Sequence, residues 1–236
     1  MRISKAVAIF LAALALILVG VATISHRKVS QERAEISRAV RSQVVYAEQA
    51  LLGWCEAGGY LAATKRSAKV VASIDASVIS IQDMAMDRNA EHVAASVIYL
   101  RAVGDYLSAI VSVGTWLESP LWPIEQQLAN LDNLGVMDRV RLFHRLTADE
   151  QARFESGEPL ASVGKRAADE LFQESVSTLE QRRGRLVDVY RKLIESAVVA
   201  RDELSADAVF SQAQLDALHD CVLKTVSKVI SRGADQ

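Results

Sequence analysis

The four histidines are the residues of this chain best suited to proton transfer or metal binding. They are scattered along the sequence, and no His-Glu-x-x-His or paired Glu-x-x-His motif joins them. Asp216, His219 and Asp220 share one helix face, because residues three and four apart are neighbours there. Such a face could hold a weak metal site, but surface residues at this spacing are far commoner. We therefore predict no metal site, no cofactor and no catalytic residue.

Cys55 and Cys221 are the only cysteines, too few for a structural zinc site or a disulfide framework. They lie far apart in the sequence, and we expect two separate buried thiols. A disulfide is the alternative, if the fold brings the two together.

A short basic cluster, Gln-Arg-Arg-Gly-Arg at residues 181–185, is flanked by acidic residues. Nucleic-acid binding would need a wider basic face, and the net charge of −2 gives no global attraction, so no nucleic-acid partner is expected. Arg183 falls within an apolar seam, where one polar residue can set register or oligomeric state. Binding of an acidic partner or an anionic ligand there is the alternative to a plain solvated patch.

Catalytic signatures are missing from the sequence: it has no phosphate-binding glycine loop, nucleophile elbow or kinase motif. Half of the residues are hydrophobic but only 6% are aromatic, with three prolines and eleven glycines. That composition is typical of packed helices. We therefore expect an all-α protein that is not an enzyme.

The segment that must position everything else is an apolar run at residues 6–24, AVAIFLAALALILVGVATI. Nineteen uncharged residues make a helix of about 28 Å, close to the roughly 30 Å of a bilayer core. We predict a basic tip (1–5), a transmembrane anchor (6–25) and a juxtamembrane helical stalk (26–57). A cleaved signal peptide and a buried soluble helix are the alternatives.

Sidedness is ambiguous, because Arg2 and Lys5 precede the run while five basic residues follow it by residue 41. Long domains translocate largely regardless of flanking charge, so we favour a bacterial-type inner-membrane protein with an extracytoplasmic domain. Small residues recur every seven positions in the run, which would allow the helix to self-associate.

Residues 58–236 show helical spacing throughout and predict an antiparallel bundle. A break is expected near residues 87–89, with Asn89 as an N-cap. Residues 118–159 should form short connecting helices, with capping boxes at Thr147–Glu150 and, later, Ser211–Gln214. Residues 93–117 are apolar enough to suggest a second membrane span, but Arg101 and Asp105 interrupt them, so a core helix is favoured.

A long helix with a heptad seam is expected between residues 172 and 204. We take this seam as the candidate interaction surface, together with two tryptophans that flank a proline-rich turn. The residues assigned to the surface are Phe172, Leu179, Arg183, Leu186, Tyr190, Leu193, Trp116 and Trp122.

These expectations give three functional hypotheses. The first is a membrane-anchored scaffold that binds a second copy or a helical protein partner. The second is an extracytoplasmic sensor or ligand-binding module that relays to a partner. The third is a subunit of a membrane transport or secretion complex, with residues 93–117 entering the bilayer.

Overall fold

The computed structural model of the chain describes residues 5–56, 59–84, 89–117 and 136–234. Side chains at residues 5–13, 15, 17, 136–138, 172 and 229–234 lie outside that description. The regular elements within these ranges are all helical, which confirms the predicted all-α class. They are α1 (Lys5–Leu52), α2 (Tyr60–Asp83), α3 (Ala90–Leu117), α4 (Val136–Phe143), α5 (Ala148–Glu155), α6 (Leu160–Val163), α7 (Lys165–Glu203), a 3₁₀ turn (Ala206–Ala208) and α8 (Gln212–Ala234).

Helix α1 combines the predicted anchor and stalk in one unbroken element of 48 residues. At 1.5 Å per residue it is about 72 Å long. Between Ile36 and Leu51 one apolar face of the helix is buried in the main core, while Val45 and Tyr46 on the other side are exposed. The second half of the segment predicted as a stalk (26–57) thus contributes to the core of the bundle.

Helices α1, α2 and α3 run alternately up and down. Gln43 of α1 donates a hydrogen bond to Ser77 of α2 at 2.9 Å, while Arg66 of α2 reaches the backbone of α1 at Gln49. The later residue of α1 meets the earlier residue of α2, so the two helices are antiparallel. Glycines let α3 approach α2 in the same antiparallel sense, since Gly104 faces Ile74 and Gly114 faces Thr64.

Helices α7 and α8 complete the main core. Arg182 of α7 donates to the carbonyl oxygen of Ser112, and the rings of Tyr190 and Tyr106 lie 6.0 Å apart, so α3 and α7 are also antiparallel. Tyr190 in turn donates a hydrogen bond to Asp216 of α8. The main core includes buried residues of α1, α2, α3, α7 and α8.

Helix α3 is the one helix, among the residues searched, whose length and composition would allow it to cross a membrane. Within its most apolar window, 56% of the residues are buried inside the protein. Arg101 and Asp105 are exposed, on the strip of α3 that its neighbours leave uncovered. This burial favours the prediction of a core helix for residues 93–117.

The predicted break between α2 and α3 is confirmed, because α2 ends at Asp83 and α3 begins at Ala90. The side-chain oxygen of Asn89, the expected N-cap, accepts a hydrogen bond from Arg33 Nε at 2.9 Å. That contact ties the start of α3 to α1.

Both predicted capping boxes are confirmed. Thr147 and Glu150 exchange side-chain and backbone hydrogen bonds at the start of α5. Ser211 and Gln214 do the same before α8, with distances of 2.9 and 3.2 Å. The last helix runs to Ala234.

A smaller cluster joins the short helices to the start of α7. Arg166 holds it from the surface, with hydrogen bonds to Glu150, to Glu170 and to the backbone carbonyl of Arg145. The side-chain hydrogen bonds from Arg166 hold the pKa of Glu150 at about 2. Residues 118–135 of the predicted connector lie outside the described ranges. The buried members of the cluster are Leu142, Leu146, Ala167, Ala168 and Leu171.

Candidate functional site

The first candidate site is the exposed apolar surface of α1 between residues 14 and 24. Within it Leu14 is 44% exposed and Leu16 is 73% exposed. The same helix changes character at Ile36, which is fully buried. Water does not favour a whole helical turn of exposed leucine, valine and isoleucine, so this surface needs another apolar environment.

The heptad leucines of α7 lie inside the protein's own core. Leu179, Leu186 and Leu193 are fully buried and belong to the cluster shared with α3. A partner chain could not contact them without opening the bundle. Any surface that binds a partner must therefore lie elsewhere on the described molecule.

Arg183 is exposed and does not form a polar layer in the seam. Its neighbour Arg182 is half-buried instead and donates a hydrogen bond to the carbonyl oxygen of Ser112. Arg182 therefore takes the inward position between the buried residues Leu179 and Leu186, and Arg183 is turned away from α3. The seam position at Arg183 consequently faces solvent.

The remaining predicted interaction residues are divided. Tyr190 is half-buried and packs against the core. Trp116 is also partly buried against that core, at the end of α3. The side chain of Phe172 and all of Trp122 lie outside the described part of the structure.

A polar cluster does form where α3, α7 and α8 meet. His219 of α8 stacks on the ring of Tyr190, with ring centroids 3.8 Å apart and planes within 3° of parallel. Its Nδ1 lies 3.0 Å from the hydroxyl oxygen of Tyr106. Tyr190 donates its own hydroxyl proton to a carboxylate oxygen of Asp216.

Burial sets the electrostatics of this cluster. Desolvation lowers the pKa of His219, although the nearby carboxylates of Asp220 and Asp216 oppose that effect. Desolvation likewise raises the pKa of Tyr106 and of Tyr190, so both stay protonated. The cluster is therefore an uncharged imidazole between two neutral phenols, with one carboxylate at its outer edge.

This arrangement uses the groups that sequence alone offered as a metal face. His219 is engaged with Tyr106, and Asp216 accepts the hydrogen bond from Tyr190. Among the described residues, no group of three or more histidine, cysteine, aspartate or glutamate side chains could hold a metal ion. The cluster connects α3, α7 and α8 through these contacts.

Cys55 and Cys221 form a disulfide, so the expectation of two separate thiols is wrong. Their Cα atoms lie 5.4 Å apart, within the normal range for a disulfide. One turn along α8, Thr225 donates a hydrogen bond to the backbone carbonyl of Trp54 at 2.8 Å. The end of α1 and the middle of α8 are thereby held together both covalently and by hydrogen bonding.

Sequence reasoning missed both the disulfide and the Tyr106–His219 contact for the same reason. Each joins residues more than 100 positions apart, and helical spacing says nothing about which helices become neighbours. A usable signal did exist for the second contact, because Tyr106 and His219 both lie among the apolar positions of their helices. Comparison of the chain with protein-family models, with curated proteins and with solved structures gave no match.

Proposed function

We propose that this chain is a single-pass membrane protein whose helical bundle lies on the extracytoplasmic side and acts by binding a ligand or partner. The observation that carries the proposal is the change along α1, from exposed apolar residues before Ile24 to buried core residues from Ile36 onward. One continuous helix then joins the bilayer to the bundle.

The length of the apolar run supports the membrane assignment. Residues 6–24 contain no charge, and a helix of that length matches the bilayer core. In lipid, a helix satisfies its backbone hydrogen bonds internally, as α1 does without a break.

The disulfide supports the extracytoplasmic side. Disulfides persist in oxidising compartments and are rare in the cytosol. Cys55 is exposed, so cytosolic reductants would have access to the bond. An extracytoplasmic bundle keeps it oxidised.

The choice between a ligand-binding module and a scaffold depends on whether the heptad leucines of α7 are accessible to a partner. Leu179, Leu186 and Leu193 are buried inside the bundle. Their burial supports a ligand-binding or sensory module over a scaffold that associates through the heptad seam. Val198 and Val199 favour association with a partner as the second candidate, since they are adjacent on α7 and 54% and 57% exposed. The burial of α3 argues against its entry into a bilayer as part of a transport complex.

Two fusions at the C-terminus test the topology, one to alkaline phosphatase and one to a fluorescent protein. Phosphatase activity without fluorescence is the expected result. Fluorescence without phosphatase activity would place the bundle in the cytoplasm and overturn the proposed sidedness.

Carbonate extraction tests the anchor. The full chain should remain in the membrane pellet, and Leu16→Arg combined with Val19→Arg should release a large fraction, because each arginine costs about 2.5–3.5 kcal/mol at mid-bilayer. Val198→Arg makes the same chemical change on the bundle and should stay in the pellet. Equal retention of all three proteins would contradict the assignment of the anchor.

A further inference from the structure

A groove lies where α1 passes the start of α3 and the segment after α7. Its volume is about 520 Å³, within the range of small-molecule sites. It is polar and charged, with side chains contributed by three parts of the chain. Its lining includes Arg33, Ser37, Arg38, His92, Glu203 and Asp207.

Two of the arginines in the groove keep most of their donors. Arg33 uses Nε on Asn89, at 2.9 Å, and Arg38 uses Nε on a backbone carbonyl one turn earlier. Within the described ranges neither guanidinium forms an ion pair, whereas Arg41 pairs with Asp207 at 2.8 Å. Arg33 and Arg38 therefore present terminal N–H groups that suit a carboxylate.

Buried polar atoms at the groove also lack partners. His92, part of the groove lining, is 2% exposed, and its Nδ1 has no hydrogen bond among the described residues. The same is true of Nδ2 of Asn89, which is 1% exposed. Unpaired buried polar groups are costly, but both atoms are inaccessible and Asn89 is not part of the lining, so they lie beneath the groove and do not themselves contact a ligand.

Glu203 gives the groove its second charge. It is the last residue of α7, where the helix dipole disfavours a carboxylate. In the described structure no arginine or lysine pairs with it, so its position is not explained by stability. A half-buried carboxylate at that place suits an ammonium group on a ligand.

The distance of the groove from the end of the apolar run favours a soluble ligand over a lipid headgroup. Arg33 lies nine residues beyond Ile24, about 14 Å along α1, and Arg38 lies about 21 Å along it. The polar layer of a bilayer leaflet is only about 5–8 Å thick. Both arginines thus lie beyond the headgroups.

We infer that this groove binds a small zwitterionic amino-carboxylate, such as a free amino acid, with Arg33 and Arg38 on the carboxylate and Glu203 on the ammonium group. The inference rests on the proposed binding function and names its ligand class. Apart from the Arg41–Asp207 ion pair, the groove has two positive groups and one negative group, which match the two ends of such a molecule.

Titration calorimetry on the full chain in detergent micelles tests the inference, with each of the common amino acids, their des-amino carboxylic acids and inorganic phosphate as probes. We expect at least one amino acid to bind with millimolar affinity or better. Arg38→Gln should weaken that binding at least tenfold, and Glu203→Gln should weaken it while leaving the des-amino acid unchanged. Arg185→Gln, an exposed arginine outside the groove, is the matched control and should change nothing.

Three results would overturn the inference: no amino acid binds, phosphate alone binds, or the bound amino acid is indifferent to Arg38→Gln. Melting curves of the variants establish that each is folded before binding is measured. Calorimetry in micelles does not depend on which side of the membrane the bundle faces. A failed topology test therefore leaves the ligand result standing, and a failed ligand test leaves the topology standing.

Discussion

Removal of the Cys55–Cys221 disulfide should lower the stability of the bundle substantially. The two cysteines are 166 residues apart, so the crosslink constrains a very large loop in the unfolded chain. The chain-entropy relation for a loop of this size gives about 5 kcal/mol at 25 °C. Engineered and native disulfides often deliver less than this relation, so we expect a loss of about 3–5 kcal/mol.

Urea unfolding of the full chain in detergent, followed by far-ultraviolet circular dichroism, measures this loss. The oxidised protein is compared with the double variant Cys55→Ser, Cys221→Ser. For a protein of this size the expected loss corresponds to a fall of about 10 °C in melting temperature. A reducing agent should destabilise the parent protein to the level of the double variant and leave the variant unchanged.

The reasoning fails if the oxidised parent and the double variant unfold at the same urea concentration. That result would mean that the crosslink does not restrict the unfolded chain as the loop calculation requires. Rapid maleimide labelling of both cysteines in the unreduced native protein would refute it at an earlier step, because the bond itself would be absent.

Three further predictions concern the core. Because burial lowers the pKa of His219, the unfolded chain binds a proton that the folded chain does not. The free energy of unfolding should therefore fall as the pH drops below about 6.5, by at most about 1.4 kcal/mol per pH unit. Thermal melts at pH 7.5 and 5.5 should show a larger drop for the parent protein than for His219→Gln. Gly114→Ala should lower the free energy of unfolding in urea by about 1–3 kcal/mol, because an added Cβ would lie 2.8 Å from Cγ2 of Thr64. Gly104→Ala is the control and should be tolerated, because its added Cβ would have its nearest contact at 3.5 Å. Equal effects of the two substitutions would contradict the packing of α3 against α2. Leu186→Ala removes a fully buried side chain and should cost about 2–5 kcal/mol, and an unchanged urea midpoint would show that α7 does not pack as described.

Local features of the fold were predictable because their causes are local. The capping box at Thr147 and the existence of a break between α2 and α3 follow from hydrogen bonding and spacing within a few residues. The all-α class follows from composition and periodicity over the whole chain. These signals do not depend on which helices become neighbours.

Features that depend on helix pairing were not predictable in the same way. Arg183 satisfies a heptad pattern, yet it is exposed, and its neighbour Arg182 makes the contact with α3 instead. The groove lined by Arg33, Arg38 and Glu203 joins residues from α1 and the end of α7, which no spacing rule connects. The Cys55–Cys221 bond depends on the same long-range pairing.

The continuity of α1 has a mechanical consequence. A turn of this helix about its own axis by one residue would swing its buried face, from Ile36 to Leu51, through about 100° and out of the core. Packing in the core therefore prevents α1 from rotating about its own axis. The Cys55–Cys221 disulfide, just beyond the end of α1, prevents the helix from sliding along that axis. If residues 6–24 lie in the bilayer as proposed, a displacement or tilt of that end of α1 would move the whole bundle as a rigid body. Because Arg38 is a residue of α1, such a movement would also displace one wall of the groove.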